Sequence, residues 1–279
     1  MATRALVTGT DYLLGYVEDR TAVLSFNRPE RRNALHEEIY DGFARALPVV
    51  ASDPTIGCLV VTGEGGAFCA GGDVKGFAAA HREQAAGTAA RPSPERRIDE
   101  LRVLQQKVSL ALHRLPKITI AALPGAAAGA GLSIALACDL RVATESAVLA
   151  TAFAKIGASG DFGGSYFLTQ LVGPAKAKEL YLLSDRISAQ DALALGIVNR
   201  VFPDAHFDEG WRAFAARVAG GAPLANRAIK ENINRALVSD LAGCLDGEAA
   251  NMVATMSTED HREASAAFVE KRAAVFVRR

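Results

Sequence analysis

The sequence predicts an α/β fold on three observations. Short β-rich apolar runs alternate with segments whose apolar residues recur at helical spacing as far as about residue 204. Beyond that point the pattern is almost wholly helical. Half of the 279 residues are hydrophobic and 22% are charged, enough apolar surface for a large buried core and too much for a disordered chain. At roughly 150 residues per domain the length suits about two domains or one large α/β domain. The change of class divides it into an alternating core, 1–204, and a C-terminal helical region, 205–279.

Each element has its own signal. Residues 21–26 (TAVLSF) and 58–62 (CLVVT) read as strands, and between them Ile39, Phe43 and Leu47 mark a helix after the polar start His36-Glu37-Glu38. Residues 78–97 are rich in Ala, Gly, Pro and charge without a clear apolar face, and read as a mobile loop or frayed helix, either covering a site or merely connecting. Leu101, Leu104, Val108, Leu112 and Leu115 form one apolar helical face, stopped by Pro116. Residues 117–122 (KITIAA) are the next strand. No residue in 118–138 carries a charge, but Pro124-Gly125 in the middle argues for a strand, a turn and a small-residue helix rather than a membrane span. Strands are expected at 140–143 and 197–202, and helices at 174–183 and 188–195, the latter opening Ser-x-x-Asp and closing on Gly196. Residues 206–219, 223–236, 240–256 and 261–276 complete the helical region.

Lys plus Arg total 31 and Asp plus Glu total 31, so the net charge is zero and neither a nucleic-acid nor a membrane-surface partner is expected. The four cysteines are far apart in apolar stretches with no metal-ligand spacing, so no metal is expected and reduced, buried thiols are. The N-terminus has no long apolar run and carries early acidic residues, unlike a secretory signal, so a cytoplasmic protein is expected. Gly129-Ala130-Gly131-Leu132-Ser133-Ile134 lacks the third glycine of a dinucleotide fingerprint, and Gly157-Ala158-Ser159-Gly160 falls one residue short of a nucleophile elbow. The histidines are scattered singly.

What remains is three glycine-rich junctions, at 63–73 (GEGGAFCAGGD), 124–131 (PGAAAGAG) and 157–164 (GASGDFGG). Glycine there either serves tight packing or lets bare backbone N–H groups approach a ligand. Two such donors are what an enolate or tetrahedral oxyanion needs.

The runs 26–35 (FNRPERRNAL), 67–75 (AFCAGGDVK), 124–141 ending ALACDLR, 171–177 (LVGPAKA), 192–199 (ALALGIVN) and 267–272 (AFVEKR) together resemble the enoyl-CoA hydratase/isomerase (crotonase) superfamily over nearly the whole chain. The resemblance implies a crotonase-like spiral of ββα units with a C-terminal helical trimerisation region, a homotrimer or homohexamer, and a role in fatty-acid metabolism. It also implies an acyl-CoA thioester substrate, with coenzyme A as part of the substrate and no separate cofactor.

Carried over by position, the resemblance puts the oxyanion donors on the backbone N–H groups of Gly72 and Ala130. Alanine is less usual than glycine at the second position, and its methyl group narrows the approach. Ala34, Ala70, Gly72, Asp73, Val74, Lys75, Ala130 and Phe268 fall on substrate-contacting positions, with Arg31, Arg32 and Lys271 as cations for the coenzyme A phosphates. A hydratase of this family uses two glutamates, and those positions here hold Ser133 and Phe153. Paired-acid hydration is therefore not supported. Ser133 is expected as a small residue lining the pocket. Asp161 matches the catalytic aspartate of isomerase-like members, or else caps a helix beginning near Phe162, while Asp73 and Asp139 read as turn and cap residues. The resulting expectation is an enoyl-CoA isomerase with Asp161 as acid/base. The alternatives are a hydratase, a CoA-thioester ring hydrolase, or a catalytically silent acyl-CoA-binding homologue.

Overall fold

A computed structural model of the chain describes residues 3–86, 88 and 92–277. The strands are β1 (Thr3–Ala5), β2 (Leu13–Glu18), β3 (Thr21–Phe26), β4 (Cys58–Gly63), β5 (Ala67–Cys69), β6 (Ile118–Leu123), β7 (Ala126–Ala128), β8 (Leu140–Thr144), β9 (Val148–Ala150), β10 (Ile187–Ser188) and β11 (Arg200–Phe202). The helices of the core are α1 (Glu37–Ser52), α2 (Val74–Ala85), α3 (Pro94–Gln105), α4 (Ala111–Arg114), α5 (Ala130–Ala137), α6 (Gly164–Leu183) and α7 (Ala189–Ala194). The last stretch forms α8 (Phe207–Ala219), α9 (Pro223–Ala236), α10 (Leu241–Met256) and α11 (Glu259–Glu270).

Two sheets share the strands in a repeating way. A seven-stranded sheet has the order β1-β2-β3-β4-β6-β8-β11 and a four-stranded one the order β10-β9-β7-β5. Successive units β4-β5-α2, β6-β7-α5 and β8-β9-α6 each give a long strand to the first sheet, a short strand to the second, and then a helix. This is a spiral of ββα units. From β3 onward the first sheet is parallel, as is β5-β7-β9 in the second.

The long strands are continuous apolar runs because both of their faces are covered. Leu59, Val61, Ala121 and Leu123 join the main core with Ile39, Phe43 and Leu47 of α1. Their alternating neighbours Cys58, Val60, Ile120 and Ala122 pack instead under Phe207, Trp211, Ala215 and Ala219 of α8. Lys230 of α9 is buried and reaches Asp139 Oδ2 at 2.8 Å, while that carboxylate also accepts from the Thr119 N–H and hydroxyl. Asp139 thus ties a helix to the sheet.

Several boundaries differ from expectation. Within 78–97, helix α2 extends to Ala85 and α3 begins at Pro94, capped by Ser93. Gly87 and residues 89–91 lie outside the described residues, as do the side chains of Lys75 and His81. The helix expected from 174 starts ten residues earlier, at Gly164, and is broken at Gly173 (φ 76°), where Pro174 has no N–H to continue it. The strand expected at 197–202 is confined to Arg200–Phe202, because Ile197 and Val198 instead close a buried turn on Ala192 O. The last helix stops at Glu270 and not 276: Lys271 turns left-handed, and the chain folds back so that Arg272 binds Glu263 and Glu270. Residues 118–138 resolve into β6, β7 and α5. Cys58, Cys69 and Cys138 are buried thiols, but Cys244, on the outer helix α10, is half-exposed.

Candidate active site

The three glycine-rich junctions meet because they follow equivalent strands. The ends of β5, β7 and β9 lie side by side in the parallel part of the small sheet, and ligands bind at such carboxyl ends. A cavity of about 830 Å³ opens there. Ala70, Gly72, Asp73 and Val74 line it after β5, Ala130 after β7, and Ala152, Phe153 and the run from Ile156 to Phe162 after β9. Leu35, Tyr40, Leu101 and Leu104 close the other side.

Two backbone donors belong to residues that line this space. Neither the Gly72 N–H nor the Ala130 N–H meets an acceptor among the described residues. They are brought together by glycine at two positions. Gly71 has φ 85°, and a methyl group on it would lie 2.6 Å from Ala128 O and 3.1 Å from Ala130 N. Gly129 (φ 53°, ψ −128°) is the N-cap of α5 and turns the chain so that Ala130 opens the helix, whose orphan N–H groups carry partial positive charge.

Asp161 is half-buried in the cavity wall. Its Oδ1 accepts from Gln105 Nε2 at 2.8 Å and from the Phe162 N–H at 2.6 Å. It does not cap a helix: α6 begins at Gly164 with Gly163 as N-cap and no side-chain cap bond. The Phe162 ring is buried and stacks on Tyr40, at 5.7 Å and 15°. Burial first, then Cys69 and Asp161, raise the Tyr40 phenol above its ordinary value. Burial also pushes Tyr181 up to about 12, with the Asp161 charge adding and a hydrogen bond to Ser133 opposing. Both phenols stay protonated near the carboxylate.

The remaining expected residues are dispersed. Phe153 lines the cavity and stacks on Tyr181 at 6.1 Å. Ser133 does not line it: the first turn of α5 carries it inward, 1% exposed, with its hydroxyl 3.3 Å from Gly129 O. Asp73 lines the cavity mouth while its Oδ1 caps α2 through the Gly76 N–H at 3.0 Å. Ala34 is buried and its carbonyl accepts from Arg28 Nη1. Arg31 and Arg32 are exposed and off the cavity wall, although Arg32 O accepts from the Ala70 N–H and so braces the first junction. Phe268, 86% exposed, and Lys271 lie at the end of α11, away from the cavity of this chain.

Sequence reasoning missed Gln105, Tyr40 and Phe162. It also assigned Leu101 and Leu104 to one continuous face. A π-helical turn at Gln106–Leu110 interrupts that face: Val108, Leu112 and Leu115 lie in the core, Leu104 packs against the core while also lining the cavity, and Leu101 lines the cavity. The polar Gln105 beside an apolar stripe was the one available signal. Among the described residues no cluster of His, Cys, Asp or Glu could hold a metal ion, and no helix is long and apolar enough to cross a membrane.

The family model for enoyl-CoA hydratase/isomerase matches residues 17–279. The chain belongs to that family. Its crotonase fold is shared with the crystal structure of an enoyl-CoA hydratase from Polaromonas sp. JS666, with a TM-score of 0.86 and 36% identity, covering 95% of this chain and 99% of that one. The 1,2-epoxyphenylacetyl-CoA isomerase of Escherichia coli K12 is 34% identical over 266 residues, 95% of this chain and 98% of that protein. The crotonyl-CoA hydratase of Syntrophomonas wolfei is 32% identical over 261 residues, covering 93% and 95%. Hydratases and isomerases are thus about equally similar to this family member, and the acids in its cavity must separate them.

Proposed function

We propose that this enzyme is an enoyl-CoA isomerase that shifts a double bond through a thioester enolate. One observation carries the reading: Asp161 is a carboxylate lining the same cavity as Gly72 and Ala130, whose N–H groups are unclaimed among the described residues, while the resemblance puts Phe153 and Ser133 at the family's two acid positions. Of the other cavity carboxylates, Glu37 is exposed in the first turn of α1 and Asp73 is engaged as a cap. Asp161 removes a proton from the α-carbon of a 3-enoyl thioester. The electron pair spreads into a dienolate, and its oxygen is received by Gly72 and Ala130, each donor contributing about 10²–10³ in rate. Asp161 then returns the proton to the γ-carbon and is regenerated as carboxylate. Atoms balance without water, so one carboxylate is enough and coenzyme A enters only with the substrate.

Arg31 and Arg32 are the cations proposed for its phosphates. The reading includes a homotrimer or homohexamer, which the exposed apolar side chains of α9–α11 and their connections, Ile233, Val238, Leu241 and Val253 among them, support. Asp161→Asn is expected to lower 3-enoyl-CoA isomerisation by about 10²–10⁴. Unchanged turnover removes Asp161 from the mechanism. Solvent oxygen-18 in the product points instead to a hydratase or thioester ring hydrolase, and binding of a CoA-ester panel without turnover to a silent homologue.

A further inference from the structure

The carboxylate of Asp161 is held asymmetrically. Both of its hydrogen bonds, from Gln105 Nε2 and from the Phe162 N–H, fall on Oδ1, and Oδ2 has no partner among the described residues. Two donors at one oxygen stop rotation of the group and leave the other oxygen presented for a proton. The second donor comes from a strained residue, Phe162 at φ 51°, kept there by its buried, stacked ring.

The first donor depends on the π turn. Gln105 is the last residue of α3, and the turn Gln106–Leu110 inserts one extra residue before α4. An inserted residue rotates what precedes it by about 100° against the core-facing turn that follows. Leu101 thereby lines the cavity, Leu104 lines it while still packing on the core, and Gln105 lines a neighbouring cavity of about 790 Å³, from which its amide reaches Asp161. An amide donates to the carboxylate without contributing a proton of its own to the exchange. A lysine or arginine at this place would compete as a counter-ion.

Resting on the assignment of Asp161 as acid/base, we propose that Gln105 is a positioning residue that holds one carboxylate oxygen so that the other is aimed at the substrate carbons. The test is a double-mutant cycle with Gln105→Leu and Asp161→Asn, with Gln105→Met as a second, unbranched substitution of similar length. Loss of orientation is expected to lower kcat for isomerisation roughly 10- to 100-fold in either Gln105 variant while KM stays within about twofold. In the Asp161→Asn background Gln105→Leu is expected to cost nothing further. Wild-type kcat in both Gln105 variants, or the same fold loss with and without Asp161, overturns the proposal. Full activity of Asp161→Asn alone overturns the reading beneath it, and is distinguished by leaving the single Gln105 measurements unexplained by any carboxylate.

Discussion

The residues that matter for chemistry sit where the backbone is least free to vary. Gly164, first in α6, shows how tightly the carboxylate loop is anchored: a methyl group there would lie 2.2 Å from Ser133 Oγ and 2.5 Å from the Tyr181 hydroxyl. Ser133 is buried and Tyr181 is stacked on Phe153, so neither can retreat without disturbing the cavity wall. Gly164→Ala is expected to destabilise by about 1–3 kcal/mol, the usual cost of overpacking. It should also lower kcat, because the start of α6 carries the 161–163 turn. Urea unfolding beside steady-state kinetics checks both, and a variant with wild-type midpoint and rate shows that the site has slack. Sequence alone marked Gly164 as part of a glycine-rich junction. It could not say that the glycine serves contact with Ser133 and Tyr181, residues far from it along the chain.

Elements owe their limits to contacts as much as to propensity. Helix α11 ends because the chain behind it is captured: Glu263 binds Arg272 through both carboxylate oxygens and also accepts from the Val275 N–H at 2.9 Å. The Arg272 guanidinium first, then that N–H, draws the Glu263 carboxyl down from 4.5 to about 2. Because the folded group ionises at lower pH than the free one, these contacts are fully present above about pH 4.5 and vanish as the pH falls toward 2. The tail after Lys271 should therefore come loose across that window, seen as loss of the Val275 amide protection factor. Glu263→Gln should loosen it at neutral pH as well. Equal protection at pH 2 and 7 would show that other contacts, the Val277 N–H on Asp260 Oδ1 among them, hold the tail. The helical periodicity of 261–276 was legible, but the capture that ends it was not. The split of the 101–115 face has the same origin, since a π turn adds a residue without leaving any mark in composition.

On the scale of the whole molecule, the C-terminal helical region leaves much apolar surface exposed among the described residues. Phe268, Val253, Leu241 and Val238 are each more than half exposed, and patches of this kind mark interaction surfaces. Light scattering is expected to give the mass of three or six chains, and a stable monomer at micromolar concentration would refute the assembly. In such an assembly Phe268 and Lys271, at the end of α11 and off the cavity of their own chain, would meet an acyl-CoA only across an interface between copies.

The division between what the sequence settled and what folding settled follows from range. Alternating strands and helices, the apolar runs of β3, β4, β6 and β8, the face of α1, the three glycine junctions and the family resemblance are all carried by residues within a few positions of one another. Periodicity, caps and turns are local physics, so the chain states them openly. That the junctions after β5, β7 and β9 converge on one cavity, that Ser133 is turned inward, and that Gln105 reaches Asp161 across 56 positions are decided by strand order and by one inserted residue in a helix. Those are properties of packing, where each position depends on partners distant along the chain, and only the folded molecule holds them.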